Sequence, residues 1–168
     1  LDGSSRFADG HRWASFWSVG AKYRITSEKF MESTSDWLTN LSLRASYGTT
    51  GNQEVGSQTA GYGWYASSDL FGFGYNYNGL PGMAQEQFGN SKLKWEQTAK
   101  FNVGFDVSLF NRINLSVDYY NHQTKDMVFD IPLSYTTGLS SFYGNVGKLE
   151  NKGFEVSLNA ILIKNKNL

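Results

Sequence analysis

The sequence predicts an all-β chain, a segment of an antiparallel transmembrane β-barrel with about five or six long strands. Three observations predict it. Apolar and polar residues alternate with period two over runs far longer than the five or six residues or so of a soluble strand. Connections are short or modest on one side of the strands and long on the other. Aromatic residues recur six positions from the far apolar end of a strand, roughly 20 Å at ~3.4 Å per residue, near the apolar band of a barrel.

The elements follow in chain order. A short strand within Leu1 to Phe7 turns at Asp9-Gly10. Trp17, Val19, Ala21, Tyr23 and Ile25 alternate with Ser18, Gly20, Lys22 and Arg24. A short helix over Ser27 to Met31 precedes Trp37. Leu41, Leu43, Ala45 and Tyr47 alternate with Ser42, Arg44 and Ser46. The clearest run is Leu93 to Leu109, whose odd positions are apolar apart from Gln97 and whose even positions carry no large apolar side chain. Phe110-Asn111-Arg112 makes a tight turn, and Ile113, Leu115, Val117 and Tyr119 resume the pattern as an antiparallel partner. Phe154, Val156, Leu158, Ala160 and Leu162 form the last apolar row.

In a barrel the two rows meet different solvents. Trp95, Phe101, Val103, Phe105, Val107, Leu115, Val117 and Tyr119 are expected to face lipid. Lys94, Glu96, Lys100, Asp106, Asp118 and Tyr120 are expected to face the lumen, with His122 in the same row. Carboxylates beside Arg44 and the lysines read as cross-strand charge pairs. The Asn111-Arg112 turn is placed on the periplasmic side, which puts loops of about 49–92 and 129–152 outside the cell.

The first of these loops interleaves aromatic residues with glycine. Tyr62, Trp64, Tyr65, Phe71, Phe73, Tyr75 and Tyr77 are the candidate contacts for a substrate or partner protein, Trp64 and Tyr65 foremost. The blander reading is that they pack on one another to order a long loop.

Composition excludes several classes of function. Lysine plus arginine (15) equals aspartate plus glutamate (15), so no net field favours nucleic acid. The chain has no cysteine, hence no disulfide, thiolate metal site or cysteine nucleophile. His11 and His122 stand too far apart to suggest a metal site. The stretch from Gly61 to Ala66 matches a dinucleotide fingerprint only superficially, without a preceding strand or following helix. No catalytic, cofactor or metal residue is expected, and no enzyme. No apolar run approaches the ~20 residues of a membrane helix; the longest is Ala160-Ile161-Leu162-Ile163. Both ends, Leu1-Asp2-Gly3 and Lys164-Asn165-Lys166-Asn167, read as cuts within a longer polypeptide.

Several motifs resemble the SusC/RagA-like branch of TonB-dependent outer-membrane transporters, in that family's order. They are Asp2-Gly3-Ser4-Ser5-Arg6-Phe7, Leu43-Arg44-Ala45-Ser46-Tyr47-Gly48-Thr49-Thr50-Gly51-Asn52-Gln53 and Leu93-Lys94-Trp95-Glu96-Gln97-Thr98. Further on come Val117-Asp118-Tyr119-Tyr120-Asn121 with Thr124-Lys125-Asp126, and Asn145-Val146-Gly147 leading to Asn151-Lys152-Gly153-Phe154-Glu155. The resemblance implies part of the C-terminal wall of a barrel of about 22 strands around a plug, in the outer membrane of a Gram-negative bacterium. It implies import of glycans or peptides, a SusD-like lipoprotein lid, and energy through TonB. The plug and TonB box are absent from this chain. The rest of the barrel, its plug and outer-membrane lipid are then its neighbours. The alternatives are a carbohydrate-binding β-sandwich, soluble or at the cell surface, and a passive outer-membrane porin.

Overall fold

The computed structural model describes residues 1–56 and 62–161. Leu162, Ile163 and the basic stretch Lys164 to Asn167 lie outside the described residues, as does Gly61. The described residues form eleven strands: β1 (Asp2–Gly3), β2 (Trp13–Ala14), β3 (Ser18–Arg24), β4 (Leu38–Asn52), β5 (Leu70–Tyr77), β6 (Leu80–Gln87), β7 (Glu96–Leu109), β8 (Ile113–Lys125), β9 (Val128–Pro132), β10 (Ser141–Asn145) and β11 (Lys148–Ala160). The main sheet has five strands in the order β11-β8-β7-β4-β3, and three two-stranded ladders pair β1 with β2, β5 with β6, and β9 with β10.

The five-stranded sheet follows from the alternation. β3 and β4 pair antiparallel, with Val19 opposite Tyr47 and Tyr23 opposite Leu43. Contacts between β7 and β8 join Asp106 to Ser116 and Asn102 to His122. As one strand's number climbs the other's falls, as antiparallel strands require. The turn between them holds both Phe110 and Asn111 at φ 53°, and Arg112 N–H closes it on Leu109 C=O at 2.9 Å. Positive φ at both central residues gives the twist that suits a two-residue hairpin. The predicted helix near Ser27 is instead two short 3-10 segments, Ile25–Ser27 and Lys29–Thr34.

Both predicted long loops are more structured than expected. Strand β4 continues to Asn52 and β11 begins at Lys148, so pairing extends past the predicted loop boundaries. The first stretch contains a 3-10 turn, Tyr62–Tyr65, and the hairpin β5–β6. Asn78 (φ 50°) and Gly79 (φ 82°) form its two-residue turn, and an Asn-Gly pair between Tyr77 and Leu80 is a hairpin signal in the sequence. The second stretch contains the hairpin β9–β10.

The chain divides into two compact units. One gathers Leu1–Phe16, Thr50–Thr98 and Thr124–Leu149; the other gathers Trp17–Thr49, Ala99–Gln123 and the chain from Glu150. The first unit has its own core of Phe7, Val55, Ala66, Leu93 and Trp95, against which Phe16, Val128 and Tyr143 pack. Burial pushes the Tyr143 phenol above its ordinary pKa, and the Asp130 carboxylate adds to the shift.

Candidate functional site

In the second unit the two faces of the sheet differ sharply. On one face Arg44 of β4 reaches across β7 toward β8. Its Nη1 donates to Asp106 Oδ1 (3.0 Å) and Oδ2 (3.1 Å), its Nε to Asp118 Oδ1 (3.0 Å), and its Nη2 to Ser116 Oγ (3.0 Å) and to Asp118 Oδ2. Ser116 Oγ donates to Asp106 (2.6 Å), Ser42 Oγ does so at 3.3 Å, and Lys22 Nζ lies 3.6 Å away. Two cations and two carboxylates close a neutral network over four strands. Gly104 permits it, because a Cβ there would overlap Asp118 Oδ1 and sit 3.0 Å from Arg44 Nε. The Arg44 side chain is 38 % exposed; ordinary exposed pairs contribute ~0–1 kcal/mol, and forked geometry from two carboxylates strengthens a pair beyond that.

Further along the same strands Asn102 lies within hydrogen-bond distance of His122 Nε2 (3.2 Å), and the Tyr120 and His122 rings are 5.3 Å apart. Small residues, Gly20, Ser46 and Gly104, floor a cavity of about 360 Å³ edged by Lys22, Arg44 and Asp118.

The opposite face is apolar and open. Trp17 and Tyr47 have ring centroids 5.5 Å apart, Phe101 and Tyr119 6.5 Å, and Tyr119 and Phe154 5.0 Å. The Asn102–Ser46 contact at 3.5 Å brings Tyr47 beside Phe101. A belt of rings therefore crosses the sheet, one on each of four strands and Trp17 just before β3. Val103 and Phe105 continue along β7, and Val156 and Leu158 along β11, all exposed. Val107, Leu115 and Val117 share the parity of this row and are half-buried.

One expected lipid-facing residue is misplaced. Trp95 is only 7 % exposed and belongs to the core of the first unit. Its ring packs on Phe7 (5.3 Å) and Phe16 (5.6 Å), and its Nε1 donates to Arg12 C=O at 3.0 Å. Strand β7 begins at Glu96, so Trp95 is free to turn inward. Alternation continues in the sequence through Leu93 and Trp95 and hides that boundary. Lys94 pairs with Asp126 at 3.0 Å, and Glu96 Oε2 accepts from Val128 N–H at 3.4 Å. Lys100 is exposed.

The aromatic candidates are not brought together. Arg6 lies 4.4 Å above the Trp64 ring, and Tyr65 stands open. The side chain of Tyr62 lies outside the described residues. Odd numbering would align Phe71, Phe73, Tyr75 and Tyr77 on one face of β5. Instead the register slips at Gly74 (φ 98°): Phe73 pairs with Met83, but Tyr75 pairs with Gly82 and Tyr77 with Leu80. This bulge sends Tyr75 and Tyr77 to the side opposite Phe71 and Phe73. Tyr75 Oη donates to Glu86 Oε1 (3.1 Å), which raises the phenol's pKa. No ring–ring contact joins these residues among the described ones.

Comparison with known proteins places this architecture. The model of the TonB dependent receptor-like β-barrel matches residues 1–162, and the chain belongs to that family. Within it the relatives are of the SusC and RagA kind. The chain is 40 % identical over 166 residues to the TonB-dependent receptor P39 of Formosa agariphila, covering 98 % of this chain and 15 % of that protein. It is 33 % identical over 164 residues to the TonB-dependent receptor SusC of Bacteroides thetaiotaomicron, covering 95 % and 16 %. The solved structure of the RagAB peptide importer in its closed-closed state superposes with a TM-score of 0.85 at 37 % identity, covering 98 % of this chain and 17 % of that one. The chain thus spans about a sixth of the length of these relatives. The relatives are receptors and transporters rather than enzymes, and the family's barrels are outer-membrane proteins of Gram-negative bacteria.

Proposed function

We propose that this chain is part of the barrel wall of a TonB-dependent transporter that imports large nutrients, glycans or peptides, across the outer membrane. The carrying observation is the two-faced sheet: an open apolar face crossed by a ring belt, backed by a neutral ionic face. The apolar row faces lipid and the ionic row the lumen. At the other end of β7, Phe110 and Trp37 are exposed. From Phe101 to Phe110 is about 30 Å along the strand, or ~23 Å along the membrane normal at a ~40° tilt, matching the ~25 Å apolar band.

The Asn111–Arg112 turn lies on the periplasmic side, and the hairpins β5–β6 and β9–β10 lie outside the cell. There they meet incoming substrate or a SusD-like lipoprotein lid, and TonB acts through a part of the protein beyond this chain. A sandwich reading requires the apolar row to be covered; Val156 and Leu158 are each 67 % exposed. The test is uptake of labelled oligosaccharides and peptides by cells carrying the complete protein, with and without TonB. Uptake that needs TonB supports the transporter. Equal uptake without TonB favours the porin, and a protein fractionating without the outer membrane rejects both.

A further inference from the structure

Within the first unit, a cavity of about 150 Å³ is lined by Glu86 and Gln87 of β6, Asp130 of β9, and Ser140, Ser141 and Tyr143 of the chain returning from it. Asn90 Nδ2 donates to Tyr143 C=O at 2.8 Å and joins the two stretches of chain that form its walls. Gln87 is only 6 % exposed. Its Nε2 is committed to the carbonyls of Tyr65 (2.9 Å) and Ser68 (3.1 Å), which fixes the amide and tells its oxygen from its nitrogen. The remaining atom, Oε1, is buried and has no partner among the described residues. A buried amide oxygen without a donor is costly, and its presence beside a cavity points to something that fills it.

The charge around the cavity has one sign. From Ala45 to Ser91 and from Met127 to Val146 the chain carries Glu54, Asp69, Glu86 and Asp130, and no lysine, arginine or histidine. Glu86 Oε1 accepts from Tyr75 Oη at 3.1 Å. Such a bond orients a carboxylate and leaves its charge in place, as is common for carboxylates that ligate a metal. Asp130 makes no hydrogen bond or ion pair among the described residues.

We infer that this cavity is a calcium site, in which Glu86, Asp130 and Gln87 Oε1 coordinate one ion that clasps β6 to the β9–β10 hairpin. Carboxylate, amide and hydroxyl oxygens are the ligands of a hard cation that takes about six to eight of them. No nitrogen or sulfur ligand lines the cavity, which disfavours zinc and copper. Water alone would meet Oε1 and leave two carboxylates on one small cavity without a counter-charge. An organic ligand fits less well, because pockets for such molecules begin near ~300 Å³. No group of three or more His, Cys, Asp or Glu forms among the described residues. Hydroxyls and water therefore complete the shell, and the affinity belongs to the weak class of ~10⁻⁴–10⁻³ M. Nothing in the sequence announces this site, since its two carboxylates stand on separate hairpins. The inference needs only the local structure of those hairpins and stands or falls apart from the transporter reading.

The experiment follows hydrogen exchange by mass spectrometry in the complete protein, purified in detergent. One sample holds a chelator and others hold calcium chloride, titrated to several times ~10⁻³ M. Calcium should slow exchange over residues 84–90 and 128–143 together, at one shared midpoint. Asp130→Asn should raise that midpoint about tenfold or more. Glu86→Gln, which keeps an acceptor for Tyr75, should raise it severalfold. Asp69→Asn removes a nearby carboxylate that does not line the cavity, and should leave it unchanged. Exchange of the variants in chelator, matched to the unsubstituted protein, separates lost binding from lost folding; should Asp130→Asn misfold, Glu86→Gln carries the test. Exchange that calcium leaves unaltered in either segment overturns the inference. So does a midpoint indifferent to Asp130 and Glu86, or one that Asp69→Asn raises equally, which is diffuse attraction to an acidic surface.

Discussion

Arg44 shows how one absent side chain sets up a site. Its guanidinium is shared by Asp106 and Asp118 on neighbouring strands, and they meet only because Gly104 leaves room between them. Gly104→Ala should therefore push Asp118 off Arg44 and cost ~1–3 kcal/mol, the range for forcing volume into a packed place. Urea titration of the complete barrel refolded into lipid vesicles measures it. In a background carrying Asp118→Asn the same change should cost clearly less, because the two act on one network. Equal costs in both backgrounds would detach Gly104 from the ionic face. On the opposite face, Val103→Arg should cost ~2–4 kcal/mol in the same assay if it lies near the bilayer midplane. A change within a few tenths of zero would take β7 out of lipid. The charge pairing was legible in sequence, because polar rows on adjacent strands must face each other. The choice of partners was not: it depends on register across β4, β7 and β8, which no single strand's alternation contains.

At the scale of elements, the β7–β8 turn is a device with a measurable strain. Asn111 sits at φ 53°, a region that asparagine tolerates and branched residues do not. Asn111→Val should destabilise the complete barrel by about 1–2 kcal/mol, while Asn111→Gly should leave it as stable or slightly more so. Refolding yields of the two variants, compared side by side, decide it; equal losses would mean that the Asn111 side chain matters through a contact of its own, since the 3.3 Å bond to Thr39 Oγ1 uses the backbone N–H that both variants keep. Long strands announced themselves because every second residue agreed over a dozen positions. The hairpin β5–β6 did not, since Gly72, Gly74 and Gly82 interrupt its rows and the bulge breaks the count midway. Trp95 was misread for the converse reason. Its parity agreed with β7, but the strand had not yet begun, and only the core of Phe7, Val55 and Leu93 reveals where that ring goes.

For the whole molecule, the sheet ends in β3 on one side and β11 on the other. Neither edge has a further strand among the described residues. Unpaired edges recruit other strands, and five strands fall well short of the circumference of a barrel of about 22. Expressed alone, this chain should associate edge to edge or aggregate, which light scattering in detergent-free buffer reads directly. A monodisperse monomer in water would contradict an origin in a barrel wall.

Gly74 has a consequence for how such a surface changes over time. In an extended strand the side a residue occupies is fixed by whether its count is odd or even, so one extra unit inverts every position beyond it and none before it. Giving Gly74 a partner in β6 would return Tyr75 and Tyr77 to the side of Phe71 and Phe73 without altering a single side chain, gathering four rings on one flat of the hairpin. A single codon gained opposite it is then enough to move two phenols from one flat of the hairpin to the other.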